Sequence, residues 1–353
     1  MLAVGLSLAM LVLVGEVGLR VATGPSDVNM FEFRSDTLRY RIMKPNTRGL
    51  VYGVPIETNS AGFRSTREYS TEKPPNIRRI VVLGDSMTVC AGVPFKSLTT
   101  TRLEGVLGTA CSPHQVEVFN LGCGGYGILH HVATLKECGL RYRPDLVLLF
   151  LFPDNDFEVQ WYESDRQYVM GNLNSGESLP VPETQQVWFK SLYMYRVLSP
   201  RVVPLIRGLG SISRHMGPST YDETIRYFKE RGELWQRSIS GLREIVDMCQ
   251  QVRVPVAAIL LPGNWGTYDM MQPFHDAADD ACKEAGLSSH QLIRDFRATN
   301  QMPGHFRVRL IDNHPNEEYG EIAAQAVYRY LCDSKLLGAF CGTPNQTITD
   351  VGP

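Results

Sequence analysis

Short apolar runs alternate with longer mixed stretches over most of this chain. The runs cover residues 80–83, 116–119, 146–152, 254–261 and 307–311. Runs of this length that are rich in Val, Ile and Leu are typical of parallel strands buried on both faces. Because helix-length segments separate most of them, the pattern predicts right-handed βαβ units and a parallel sheet covered by helices on both faces.

The segments around these runs carry helical signals. They predict helices over residues 96–107, 128–138, 221–251, 269–285, 289–296 and 315–331. The last helix has a clear start, since Asn316 is a good N-cap and Glu317 and Glu318 suit the positive end of the helix dipole. Together the strands and helices predict one α/β domain over residues 77–335.

Two long stretches depart from this alternation, and a tail of residues 336–353 follows the domain. Residues 24–76 contain five prolines and short apolar pieces, which predict an irregular strap with one strand at 51–56. Residues 157–219 predict an insertion, because long irregular loops are uncommon unless they are functional. Its aromatic residues include Trp161, Tyr162, Tyr168, Trp188, Phe189, Tyr193 and Tyr195. Such side chains suit the binding of sugars or acyl chains, and they equally suit the core of a small helical subdomain.

The start of the chain is apolar. Residues 2–14 carry no charge, and apolar residues continue past Glu16 to Ala22. The charge-free run alone is shorter than the about 20 residues that a membrane span needs, and no basic start or A-x-A-like cleavage site marks a secretory signal. We interpret residues 1–23 as a single membrane anchor or signal segment, with a buried amphipathic helix as the alternative. The anchor predicts a membrane-bound protein whose catalytic domain is extracytoplasmic, either periplasmic or extracellular.

Composition narrows the class of protein. The 353 residues include 35 Lys+Arg against 37 Asp+Glu, and 43% are hydrophobic. These values exclude a disordered chain and argue against nucleic-acid binding, which usually brings a basic excess. The eight cysteines form no C-x-x-C pair, so zinc ribbons and thioredoxin-like sites have little support. Cys332 and Cys341 are close enough in sequence to form a disulfide, although buried reduced thiols explain each cysteine as well.

Polar and glycine-rich segments follow four of the predicted strands, at residues 84–88, 120–127, 153–156 and 312–316. The carboxyl ends of parallel strands meet at one edge of a sheet, where ligands bind. We therefore expect these segments to lie together. They supply the hydroxyl of Ser86, a glycine turn with Gly125, the side-chain amide of Asn155, and the pair Asp312 and His314.

These groups are the parts of nucleophilic acyl transfer. A serine hydroxyl is a weak nucleophile until a base takes its proton, and His314 is the predicted base for Ser86. Asp312 is predicted to hold the imidazole in the reactive tautomer. The oxyanion that forms needs two or three hydrogen-bond donors. The candidates are the backbone N–H groups of Ser86 and Gly125 and the side-chain amide of Asn155.

The four segments resemble the motif blocks of the SGNH (GDSL) hydrolases, in the order of that family and over residues 79 to 331. The matching residues are Gly84-Asp85-Ser86, Gly125, Asn155-Asp156, and Asp312 with His314. The resemblance implies a flavodoxin-like α/β/α sandwich and a serine esterase that works through an acyl-enzyme intermediate. It also implies a substrate that is an acyl ester of a carbohydrate or lipid. This chemistry requires no metal and no cofactor.

Two alternatives stay open at this point. The family usually places its Asp three residues before its His. Asp312 is only two residues before His314, a spacing that also resembles the alginate-type O-acetyltransferases and implies acetyl transfer to a polysaccharide. Separately, the glycine turn at 122–127 satisfies G-x-G-x-x-G, the dinucleotide-binding fingerprint. That fingerprint requires an acidic residue at the end of the next strand, whereas Asp145 begins it.

Other polar residues have structural interpretations. Asp85 is expected to be a hydrogen-bonding residue of the turn, and Arg64 a structural arginine of the strap. His130 and His131 are expected on a helix face, because no partner is spaced for a metal site. Asp295, at the end of a predicted helix, is the competing candidate for the acid of the triad.

Overall fold

The computed structural model describes residues 2–23, 26, 28–157, 162–164, 166, 167, 169, 170, 230, 232–309 and 312–341. Its strands, in chain order, are β1 (Phe31–Phe33), β2 (Arg41–Met43), β3 (Arg48–Val51), β4 (Val54–Glu57), β5 (Ile77–Leu83), β6 (Gln115–Asn120), β7 (Leu146–Leu151), β8 (Val256–Leu260), β9 (Ser288–Gln291), β10 (Arg307–Arg309) and β11 (Asp312–Pro315). Its helices are α1 (Leu2–Thr23), α2 (Ser86–Val89), α3 (Thr99–Ala110), α4 (Ile128–Thr134), α5 (Glu233–Gln251), α6 (Tyr268–Glu284), α7 (Ile293–Ala298), α8 (Glu317–Asp333) and α9 (Gly338–Cys341).

Five parallel strands form the central sheet, in the order β6-β5-β7-β8-β9. This order confirms the predicted flavodoxin-like α/β fold. All six residues of β7 are buried, which is why its run of Leu, Val and Phe shows no polar alternation. The chain passes from β5 to β6 on one side and then to β7 on the other. A topological switch point therefore lies between β5 and β7, the place where ligands bind in such sheets.

Alternate residues of the strands face two helical layers. Val81 and Leu149 pack in one cluster with residues of α4 and α5. Val82 and Leu148 pack in the other with residues of α3 and α8. Both faces of the sheet are thus covered, as the apolar runs predict.

Two predictions in the last third of the chain are wrong. Residues 307–309, predicted to belong to a parallel strand, form β10, which pairs antiparallel with β11 outside the central sheet. The fifth strand of the sheet is β9, which falls where a helix is predicted. Its sequence, Ser-Ser-His-Gln, contains no apolar run. As an edge strand it pairs with β8 alone and stays partly exposed, so it needs little apolar surface.

The strap, residues 24–76, contributes two antiparallel hairpins, β1–β2 and β3–β4. The single strand predicted at 51–56 is therefore wrong. Tyr52 and Gly53 both have positive φ, 52° and 76°, and they form the turn between β3 and β4, because a two-residue hairpin turn favours this conformation. Arg64 is buried and donates to the carbonyl oxygens of Val89 and Cys90, both at 2.5 Å. It ties the strap to the end of α2, in agreement with a structural role.

The N-terminal prediction requires a correction. Helix α1 covers the predicted anchor, but no helix in the described part of the chain is long and apolar enough to cross a membrane. The membrane anchor, and the localisation built on it, are therefore wrong. The charge-free run ends before the buried Glu16. It is therefore shorter than the about 20 residues that a membrane span needs.

Most of the predicted insertion lies outside the described residues, including six of the seven aromatic residues named above. The exception is Tyr162, whose hydroxyl donates to the carbonyl oxygen of Leu38 at 3.1 Å. The helix predicted from residue 221 is described from Glu233 onward, as α5.

A disulfide joins the end of the described chain to the sheet domain. Cys341 in α9 is bonded to Cys111, at the end of α3 and 230 positions earlier. The partner considered from the sequence, Cys332, is a free thiol. Nearness in sequence therefore pointed to the wrong cysteine.

Candidate active site

The predicted nucleophile stands directly after β5, in a turn that requires glycine. Ser86 is the first residue of α2, and Asp85 caps that helix by accepting the backbone N–H of Met87 at 2.8 Å. A Cβ on Gly84 would collide with the side chain of Thr88. Glycine thus lets the strand turn tightly into α2 and leaves Ser86 at the carboxyl edge of the sheet.

The Asp/His pair is formed within β11. Nδ1 of His314 lies 2.6 Å from Oδ1 of Asp312, and the same oxygen accepts the backbone N–H of His314 at 2.9 Å. A spacing of two residues is thus sufficient to join the carboxylate to the imidazole. When Nδ1 carries the proton that the carboxylate accepts, Nε2 keeps its lone pair and can act as a base.

Tyr52 completes the hydrogen bonding of this carboxylate. Its hydroxyl donates to Oδ2 of Asp312 at 2.6 Å. Its backbone is held on both sides, because its N–H donates to Ser26 Oγ at 2.8 Å and its carbonyl oxygen accepts Nη2 of Arg309 at 3.1 Å. Sequence reasoning missed Tyr52, since no local pattern links it to a residue 260 positions away.

These contacts set the protonation of the pair. Burial raises the pKa of Asp312, but hydrogen bonds from His314 and Tyr52 and the charge of His314 outweigh it and lower the pKa to about 2. Burial lowers the pKa of His314, but the hydrogen bond and charge of Asp312 outweigh it and raise the pKa above its ordinary value. At neutral pH, Asp312 is therefore a carboxylate beside an imidazole of increased basicity.

Two cavities meet at these residues. The polar cavity, of about 460 Å³, is lined on its own side by Met87, Phe152, Asp154, Asn155, Asn264, Trp265 and Asn313. The apolar cavity, of about 740 Å³, is lined on its own side by Val28, Met30, Phe31, Phe33, Val51, Val89 and Ala91, with Asn29, Arg41 and the glycine turn. The residues that line both are Tyr52, Ser86, Asp312 and His314. The predicted nucleophile, base and acid thus share one wall.

The glycine turn after β6 borders the apolar cavity. Gly125 has a φ of 77°, a backbone conformation that favours glycine. A Cβ there would also displace the guanidinium of Arg41. Asn120 fixes the turn, because its Oδ1 accepts the N–H of Gly122 at 2.9 Å and its Nδ2 donates to the carbonyl of Thr88 at 3.0 Å. One side chain thus holds the turn and α2 in register.

Asn155 lies in the turn after β7, on the polar cavity. Its backbone N–H donates to the carbonyl of Phe152 at 3.2 Å, and its Oδ1 is buried without a hydrogen-bond partner among the described residues. Burial raises the pKa of the neighbouring Asp154 to about 7, and one oxygen of this carboxyl accepts Nε1 of Trp265. Sequence reasoning missed Asp154 and Trp265 as parts of the site.

Further acidic groups lie beside the nucleophile. Asp85 Oδ2 is 3.4 Å from Ser86 Oγ. Burial, and then the charge of the buried Asp156, raise the pKa of Asp85 to about 7. His131 lies on the buried face of α4, with Nε2 3.6 Å from Asp156 Oδ2, and burial lowers its pKa to about 4. Among the described residues, no group of three or more His, Cys, Asp or Glu side chains is arranged to hold a metal ion.

The competing acid, Asp295, has other partners. Its carboxylate lies 2.9 Å from His290 Nε2 and accepts Nη2 of Arg329 at 2.9 Å. It lines neither of the two cavities. Of the two candidates, Asp312 is the one that contacts His314.

The acidic partner of the dinucleotide fingerprint lies at the wrong edge of the sheet. Asp145 precedes β7, where it accepts the backbone N–H of Arg79 at 2.7 Å and pairs with Lys73 at 2.8 Å. These contacts lie at the amino end of β7, whereas the glycine turn follows the carboxyl end of β6. The geometry therefore disfavours dinucleotide binding at this turn.

No family model matches the chain, and no curated protein does. Solved structures similar to it include Axe2, an acetylxylan esterase from Geobacillus stearothermophilus, at 14% identity over 71% of this chain and 93% of that one, with a TM-score of 0.40. The acetyl xylan esterase AlAXEase is 13% identical over 72% and 99%, with a TM-score of 0.39. A protein from Desulfitobacterium hafniense DCB-2, assigned to the lipolytic G-D-S-L family, is 12% identical over 71% and 98%, with a TM-score of 0.40. At such low identities and TM-scores, the similarity assigns no activity and no residue role to this chain.

Proposed function

We propose that this chain is a serine-dependent ester hydrolase of the SGNH type, with Ser86 as nucleophile, His314 as general base and Asp312 as the acid that orients it. The observation that carries the proposal is the 2.6 Å contact between His314 Nδ1 and Asp312 Oδ1, on a wall shared with Ser86. A serine hydroxyl and a base that a third group orients are the parts of an activated nucleophile.

In the first step, Ser86 Oγ attacks the carbonyl carbon of the ester while its proton passes to Nε2 of His314. Asp312 stabilises the imidazolium that forms, and its low pKa, about 2, keeps it ionised throughout. The carboxylate remains unprotonated in this role and mainly fixes the tautomer and orientation of the ring.

The carbonyl oxygen becomes an oxyanion in the tetrahedral intermediate. We assign its hydrogen bonds to the backbone N–H groups of Ser86 and Gly125 and to the side-chain amide of Asn155. Donors of this kind stabilise the transition state strongly, because they are already oriented before the charge develops. The fixed turns after β5, β6 and β7 support this assignment, since each carries one of the three donors.

In the second step, His314 gives its proton to the leaving alcohol, and the acyl group stays on Ser86 as an ester. A water molecule then attacks this acyl-enzyme, losing its proton to Nε2 of His314. The tetrahedral intermediate collapses, the proton returns to Ser86 Oγ, and a carboxylic acid is released. The reactants of this sequence are the ester and one water molecule, and its products are the alcohol and the carboxylic acid.

The substrate class that we propose is an acyl ester of a carbohydrate or a lipid. The polar cavity supports an alcohol portion rich in hydroxyl groups, because Asp154, Asn264 and Asn313 line it with hydrogen-bonding side chains. Binding sites for such ligands combine a few placed polar groups with apolar walls, which Phe152 and Trp265 supply here.

The test is hydrolysis of p-nitrophenyl acetate and p-nitrophenyl butyrate by the full chain. We expect turnover in the wild type and its loss in Ser86→Ala. The matched control is Ser334→Ala, because Ser334 caps the end of α8 and lines neither cavity. Equal turnover in the wild type and Ser86→Ala, with both folded, would overturn the proposal.

A further inference from the structure

The apolar cavity lies directly beside the proposed nucleophile, since Ser86 is one of the residues that line it. Seven of the residues that line it are apolar. They come from two separate parts of the chain, namely the strap and the segment formed by α2 and the loop after it. Arg41 also lines this cavity, and its guanidinium lies over the ring of Phe33 at 5.3 Å. The cavity thus offers a long apolar wall that begins at Ser86.

Phe31 brings this wall close to the nucleophile. It is 38% exposed, which is high for so large an apolar side chain. A Cβ built on Gly124 would lie 2.8 Å from Phe31 Cζ and 3.8 Å from Ser86 Cβ. The exposed ring and the serine therefore flank the same glycine. An apolar group attached to the acyl carbon at Ser86 would cover this ring.

Packing and a hydrogen bond hold the residues of this apolar wall in place. Met30 and Val51 of the strap pack in one hydrophobic cluster with Val89 of α2 and Cys123 of the glycine turn. The hydroxyl of Tyr126 in the same cluster donates to the carbonyl of Arg41 at 2.7 Å. The strap is thus fixed against the sheet domain, and the cavity is formed before any ligand binds.

We infer that the natural substrate joins an apolar acyl chain of several carbons to a hydroxylated alcohol, with the acyl chain in the apolar cavity and the alcohol in the polar cavity. The inference rests on the proposed esterase function. Its direct support is the contrast between the two cavities that meet at Ser86 and His314. A volume of about 740 Å³ lies within the range of sites for whole small molecules, so an acetyl group would leave most of it unfilled.

The inference predicts how the rate depends on chain length. Each methylene that moves from water to apolar surroundings contributes about 0.8 kcal/mol, which corresponds to roughly fourfold in kcat/KM. We therefore expect kcat/KM to rise by at least about tenfold from p-nitrophenyl acetate to the hexanoate. Because the alcohol is the same in this series, the rise reports the acyl side alone.

Two variants test whether the acyl chain of the substrate lies in the apolar cavity. Phe31→Ala is expected to lower the hexanoate-to-acetate ratio of kcat/KM by about tenfold, since it removes the ring beside Ser86. Leu38→Ala, which removes another exposed apolar side chain of the strap away from both cavities, is the matched control and should keep the ratio. Ala91→Leu narrows the cavity and should shift the preferred chain to a shorter length. Thermal melting of each variant establishes that it is folded.

The outcomes separate this inference from the proposed function. If Ser86→Ala keeps full turnover, the esterase proposal itself fails. If Ser86 is essential but kcat/KM is flat or falls with acyl length, the esterase proposal stands and the acyl-chain inference is overturned. A rate that rises with the alcohol chain of alkyl acetates but not with the acyl chain of ethyl esters would reverse the assignment of the two cavities. A rising profile that neither Phe31→Ala nor Ala91→Leu changes would place the chain elsewhere and would also overturn the inference.

Discussion

The hydroxyl of Tyr52 donates a hydrogen bond of 2.6 Å to Oδ2 of Asp312, across 260 positions of sequence. The contact joins the strap to the carboxylate that orients His314. With Oδ1 on the imidazole and Oδ2 on the phenol, both oxygens of Asp312 have fixed partners. The strap therefore contributes a hydrogen-bonding residue to the candidate site and does more than cover the sheet domain.

Tyr52→Phe should lower kcat by roughly tenfold, since a hydrogen bond to a charged group is lost while the ring stays in place. Without this donor, the carboxylate of Asp312 is more basic and holds the imidazolium more strongly. The acidic limb of the pH profile should therefore move to higher pH. The control is Tyr40→Phe in the same strap, at a residue that lines neither cavity. A fall in melting temperature with an unchanged pH profile would reduce Tyr52 to a structural residue.

Asp312→Asn should lower turnover by as much as about 10⁴ at neutral pH, because the amide no longer fixes the reactive tautomer of His314. Asp295→Asn should leave activity per folded molecule nearly unchanged, since Asp295 contacts His290 and Arg329 instead. Turnover and melting temperature, measured together for both variants, distinguish catalysis from stability. If Asp295→Asn is the inactive variant, the assignment of the acid is wrong.

Asn155→Ala should keep the fold and lower kcat by roughly 10² to 10³, the usual cost of removing one oxyanion donor. The KM for a small ester should change much less, because the lost hydrogen bond strengthens in the transition state. The measurement is steady-state kinetics on p-nitrophenyl acetate with circular dichroism as the check on folding. Unchanged kcat would remove Asn155 from the site.

The pH dependence follows from the protonation of His314, which accepts a proton only when it is neutral. Its pKa is raised by Asp312 above the ordinary value of about 6.5. Activity should therefore be low in acid and rise with pH, with the midpoint of kcat/KM above about 6.5. Asp312→Asn removes the group that raises this pKa, so the midpoint of its residual activity should move to lower pH. A midpoint that is the same in the wild type and the variant would contradict this assignment.

The sequence predicts the centre of this fold well, because strands that are buried on both faces have unbroken apolar sequences. The six residues of β7 are all buried, and their unbroken apolar run is visible in the sequence alone. The edge strand β9 has a polar sequence and pairs with one strand, β8, so no apolar run predicts it. The N-terminal segment shows the opposite error, since its apolar composition predicts a span that the charge at Glu16 interrupts.

The candidate site is predicted only as far as its groups are local. Ser86, Gly125 and Asn155 each follow a strand of the central sheet, and the carboxyl edge of a parallel sheet gathers such residues. His314 is predicted for the same reason, but it lies within β11, outside that sheet. Tyr52 is absent from that prediction, because its role arises from a hairpin of the strap that packs against β11 in space. Pairings of this kind depend on tertiary packing, which periodicity and motif spacing do not encode.

The central claim, that Ser86 is the nucleophile, is tested most directly by covalent labelling with a serine-reactive fluorophosphonate. The reagent reacts with an activated serine hydroxyl and leaves a stable adduct that peptide mass spectrometry can locate. We expect a single adduct on the peptide that contains Ser86, with loss of ester hydrolysis in proportion to labelling, and no adduct in Ser86→Ala. An adduct on another residue, or no adduct on the folded protein, would contradict the account.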